Sequence, residues 1–131
     1  MSESAVITYK VNAGSTETEK TVTESGVVQN MRSEAIASDA SDQVVNIRCD
    51  TSALKLLWIM ANKAIALSTY DASDELIDTI NLTADVPLQW HDGDYHSKPT
   101  AFASDVASCK VTNTAGEAAT LDIVVVEDAT P

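Results

Sequence analysis

Residues 5–11 alternate, with Ala5, Ile7, Tyr9 and Val11 on one side and Val6, Thr8 and Lys10 on the other. A period of two marks a strand with one buried face. Asn12-Ala13-Gly14-Ser15 is a turn cluster, after which Thr16, Thr18 and Val22 resume a β-branched alternation, so the chain is predicted to open with a hairpin. The pattern then fades. Residues 29–43 are small and polar, with Met31 and Ile36 as the sizeable apolar anchors. They read as a long surface loop or arm, with a short helix starting near Ser33 and Glu34 as the alternative. Loops of that length inside a compact domain are usually functional or disordered.

Val44, Val45, Ile47 and Cys49 predict another strand, closed by Asp50-Thr51-Ser52. The segment 54–70 supports two readings. Leu54, Leu57, Trp58, Ala61 and Ile65 fall at helical spacing behind a capping group, whereas residues 53–60 and 63–70 also form two strands turning at Ala61-Asn62. The hairpin is the better expectation because its surroundings are β. Leu76, Ile80 and Leu82 share a face that Asp78 interrupts. Pro87 confines the strand around Trp90 to a sheet edge or to a start at the proline. Residues 106–113 make a strand and Thr114-Ala115-Gly116-Glu117 a turn. Ala119, Leu121, Ile123 and Val125 make the last strand, whose other face carries Thr120, Asp122, Val124 and Val126 and is expected to be covered at its far end. Eight or nine short strands predict an all-β fold, an antiparallel β-sandwich with the jelly roll as one form of it.

Composition agrees. The apolar 44% of the 131 residues is mostly Val, Ile, Ala and Leu, with one Phe, two Trp and three Tyr. That length fits a single domain, so residues 1–131 are read as one sandwich, with 29–43 as the arm and 127–131 as a C-terminal tail. The net charge of −12 repels phosphate backbones and anionic headgroups, which argues against nucleic-acid and membrane partners. It suits docking on a basic surface. The N-terminus lacks the basic start and apolar run of a signal peptide, so synthesis in the cytoplasm is expected. Cys49 and Cys109 are then expected as free thiols on strands.

Candidate chemistry is sparse. His91-Asp92-Gly93-Asp94-Tyr95-His96 puts two imidazoles and two carboxylates together, the ligand types that borderline cations prefer. Its spacing matches no established signature, and a solvated loop is the expectation. Asp71, Asp74, Glu75 and Asp78 form an acidic patch without the spacing of a calcium loop, and a solvated turn is expected there. No nucleophile motif occurs and four glycines make no phosphate cradle, so the chain is read as a non-enzyme with no catalytic residue, cofactor or metal. Trp90, Met31 and Ile36 are the candidate interface residues, because aromatic and large apolar anchors dominate interfaces, with a core or sandwich-end plug as the equal alternative for Trp90.

From residue 80 onward the chain carries Ile80, Leu82, Ala84, Pro87 and Trp90, then Asp105-Val106, Val111-Thr112-Asn113 and Gly116, and finally Ala119, Leu121, Ile123, Val125 and Asp128. This resembles the small virion structural proteins of tailed bacteriophages, β-sandwich proteins that decorate heads or form other particle components. The first 43 residues carry none of the likeness. The resemblance implies a capsid decoration or cement protein in the virion, a homo-oligomer, often a trimer, clamped on the major capsid protein or another virion protein. The competing expectation is a fibre-like or Ig-like binding module that recognises a glycan or a protein surface.

Overall fold

The period-two pattern is realised as strands. In β5 (Ile65–Tyr70), Ile65, Leu67 and Thr69 are buried while Ala66, Ser68 and Tyr70 are half-buried on the opposite face. The computed structural model describes residues 3–14 and 16–128. The other strands are β1 (Glu3–Ala13), β2 (Thr16–Ile36), β3 (Gln43–Val45), β4 (Leu54–Ala61), β6 (Leu76–Leu82), β7 (Leu88–His91), β8 (Ser108–Asn113) and β9 (Ala119–Asp128). Short 3₁₀ turns lie at Thr51–Ala53 and Thr100–Phe102. No helix among the described residues is long and apolar enough to cross a membrane.

The strands form a five-stranded sheet, β1-β2-β9-β4-β7, and a four-stranded sheet, β3-β8-β5-β6, with every pairing antiparallel. Leaving out β1, the orders 2-9-4-7 and 3-8-5-6 are those of a jelly roll, in which consecutive strands pass from sheet to sheet except at the β5–β6 hairpin. Between the sheets, Leu57, Ile59, Leu121, Ile123 and Val125 meet Ile65, Leu67, Cys109 and Val111 in one buried cluster. Each large aliphatic side chain buried this way contributes roughly 1.5–3 kcal/mol relative to exposure.

Phe102, fully buried, plugs an end of the sandwich from its 3₁₀ turn. That turn is tied down on two sides. The Thr69 hydroxyl donates to the Ala101 carbonyl at 2.8 Å and the Thr51 hydroxyl to the Phe102 carbonyl at 2.6 Å. Asp78, the polar interruption of β6, accepts a hydrogen bond from the Thr100 hydroxyl of the same turn.

Two sequence expectations need correction. Residues 54–70 are two strands but not a hairpin: β4 bonds to β7 and β9, and β5 to β6 and β8, in opposite sheets. Asn62 makes the crossing. Its N–H donates to the Thr120 carbonyl at 3.2 Å and its side-chain oxygen accepts from the Thr120 N–H at 2.8 Å, extending the ladder one step before the chain leaves the sheet. The second correction concerns residues 29–43. Most of this stretch is the end of β2, paired with β9 from Val27↔Asp128 to Ile36↔Ala119, and only residues 37–42 are loop. Backbone pairing holds it as a strand although its side chains are polar on both faces. The expected tail at 127–131 begins with two residues of β9, and 129–131 lie outside the described residues.

Candidate assembly surface

β2 is 21 residues long, and only its second half belongs to the sandwich. Residues 16–25 pair with β1 alone, in the register Ala13↔Thr16 to Ser4↔Ser25. At the base the register shifts, because Glu3 faces Val27 and leaves Gly26 without a partner. An unpaired residue of this kind bends a strand and increases its twist, and glycine does this at the least steric cost. Beyond the bulge, β1 and β2 form a two-stranded ribbon. Val6, Thr8, Glu19, Thr21 and Thr23 are exposed on it, and the Thr8 and Thr21 hydroxyls lie 3.4 Å apart across the pair. Lys20 lines a surface cleft with Pro87, Leu88, Gln89 and His91, so the ribbon bends over the outer face of the five-stranded sheet toward its far edge.

That outer face is apolar. Leu56 and Val126 point away from the main core yet are only 2% and 0% exposed, with Trp58 and Val124 packed against them. The expectation that the far end of β9 is covered on both faces is met. In the next row the register aligns Met31, Val124 and Trp58 across three strands, and Met31 is 66% exposed. Of the candidate interface residues, Met31 is therefore surface. Ile36 is in the main core at 1% exposure and offers nothing to a neighbour, because the strand that carries it turns it between the sheets. Trp90 also faces inward at 7% exposure, its Nε1 donating to the His96 carbonyl at 3.0 Å and the Lys98 ammonium lying 5.4 Å from a ring centroid.

The polar clusters are built from local hydrogen bonds. In the 91–96 loop, His91 Nε2 lies 3.8 Å from Asp94 Oδ2, and the other Asp94 oxygen accepts from the His96 N–H at 3.1 Å. Tyr95 at the tip is 95% exposed. Asp71 accepts from the Ser73 and Glu75 N–H groups at 2.8 and 3.0 Å, which makes it the organiser of the β5–β6 turn. Among the described residues no group of three or more His, Cys, Asp or Glu side chains is placed to hold a metal ion. Cys49 and Cys109 are free and buried, and burial pushes both thiols up to about 12.

The outermost strands of the two sheets differ. β3 has three residues, β7 has four and follows Pro87, and β6 is bent where Ile77 is left out of the register between Thr69↔Asp78 and Tyr70↔Leu76. Shortness, proline and bulges all discourage edge pairing. β1 runs 11 residues without proline, and past the register shift at Glu3 its pairing is unbroken from Ser4 to Ala13. Sequence reading found the strand but not its place at an edge, since alternation is blind to sheet order.

No family model matches the chain, and no curated protein does. A solved chain from Bacillus endospore appendages, described as forming a family of disulfide-linked pili, is similar over 79% of this chain and 89% of its own. The identity is 11% and the TM-score 0.45, too low to say anything of this protein's role.

Proposed function

We propose that this protein is a structural subunit that acts by being assembled, as a decoration protein that binds a phage head as a homo-oligomer and stiffens it, with the major capsid protein as lattice partner. The observation that supports the reading most is the β1–β2 ribbon. It is joined to the sandwich by one bulged stretch of β2 and presents backbone and side chains to whatever lies beside it. Sandwich and ribbon together supply a rigid body and a contact element, the two parts a cement protein needs. The net charge of −12 fits a basic docking surface. No catalytic step belongs to this reading.

The test is solution mass by light scattering, repeated after mixing with candidate capsids. An oligomer that co-sediments with particles and raises their heat resistance supports the proposal, with three copies as the number the resemblance implies. A monomer that ignores particles overturns it. One observation favours the binding-module alternative: Tyr95 stands exposed beside the cleft that Lys20, Gln89 and His96 line, a ring of the kind sugars stack on. Glycan-array binding lost on Tyr95→Ala would move the assignment there.

A further inference from the structure

We propose that the outer edge of β1 receives the same strand of a second copy, antiparallel about a two-fold axis, so that two five-stranded sheets fuse into one continuous sheet. The inference rests on the self-assembly reading above and names the surface through which copies meet.

Three observations carry it. The first is the asymmetry of the edges. Among the described residues, β3, β7 and β6 each bear a feature that discourages pairing. The free side of β2 over residues 16–25 carries Glu17, Glu19 and Glu24 against a single Lys20 and so repels a second copy, whereas β1 is long and regular. Along such an edge, alternate N–H and C=O groups face outward with no partner in the sheet, and an added strand satisfies them in one ladder. The second is charge. Copies carrying −12 repel one another, but residues 3–13 contain a single acid, Glu3, and a single base, Lys10. The strand is neutral, so approach along it meets the least repulsion, and an antiparallel two-fold near its middle sets neither charge against its own copy. The third is closure. A two-fold contact uses the same patch on both partners and stops at two, because each β1 edge is then occupied and the outermost strands that remain are the short β7 strands. Val6, 58% exposed on β1, gains a cross-strand neighbour in the process.

Light scattering across a concentration series, combined with residue-resolved amide hydrogen exchange, tests this. The expected result is a rise from one chain to two. In step with it, exchange slows at every second amide of β1, those facing away from β2, while the amides facing β2 stay as they were. Thr8→Glu, at an exposed position, is expected to return the mass to one chain while leaving the melting temperature measured in the dilute, monomeric range where it was. A monomer at every concentration overturns the proposal. So does a dimer whose outward β1 amides exchange as freely as in dilute solution, since copies then meet elsewhere. A trimer requires head-to-tail contacts and also overturns it, while leaving capsid decoration standing. Dimers with protected amides that fail to bind particles would keep the edge pairing and remove the decoration reading.

Discussion

The two cysteines show how a small side chain reports on the core around it. Cys109 sits on β8 facing the opposite sheet, and desolvation alone lifts its thiol from an ordinary 9.0 to about 12. Cys49 is lifted as far, first by burial and then by the charge of Glu127. The thiolate is the reactive form, so neither residue should react with a thiol reagent near neutral pH until the protein is unfolded, when both should. The folded thiols hold their protons more tightly than the unfolded ones. Their contribution to stability is therefore complete below the unfolded value and is lost as pH rises from 9.0 toward 12. The loss is roughly 1.4 kcal/mol per pH unit for each thiol. Denaturant midpoints measured on either side of the unfolded value should show that slope, and Cys109→Ala should flatten it. Phe102 is the largest fully buried side chain among the described residues, and Phe102→Ala should destabilise by about 3–5 kcal/mol, read as a lowered melting temperature.

At the scale of elements, the Thr100–Phe102 turn stays on the sheet through polar contacts as well as through its phenyl ring. Its hydrogen bond with Thr100, and then the Thr79 N–H, hold the Asp78 carboxyl below its ordinary 3.8. A depressed carboxylate stabilises the fold above its unfolded value and ceases to as pH falls through the folded one. Thr100→Val and Asp78→Asn should each lower the melting temperature at neutral pH and shrink its drop in acid, checked by calorimetry. Strands were legible in the sequence because alternation is written into the chain: Pro87 announced an edge, and Leu121, Ile123 and Val125 announced a buried strand. Pairing was not legible. β4 and β5 have the pattern of a hairpin, yet each is better satisfied inside its own sheet, with ladders on both sides. The polar end of β2 was hidden because its strand character comes from hydrogen bonds to β9 rather than from its own side chains. Ile36 looked like a surface anchor and is packing, Trp90 took the core position that was one of its two readings, and Met31 of the three lies outside.

For the whole molecule, charge gives the two kinds of contact opposite salt dependences. Copies of a −12 chain repel one another, so added salt should strengthen self-association by screening that repulsion. Docking on a basic lattice is attraction between unlike charges and should weaken under the same salt. Light scattering of the protein alone and co-sedimentation with particles, each followed against ionic strength, should therefore move in opposite directions. If both weaken with salt, the copies meet through charged groups rather than through a neutral strand.

β9, the last of the described strands in chain order, lies in the middle of its sheet, between β2 and β4. Until β9 has emerged from the ribosome, β2 and β4 have no neighbour between them, and the five-stranded sheet waits for ten residues made after the rest of its strands. Pairing between such distant parts of a chain is slow to form and leaves bare strand edges in the meantime. The abundance of acidic side chains thus acts before the protein has a surface at all, keeping unfinished chains apart until the closing strand arrives.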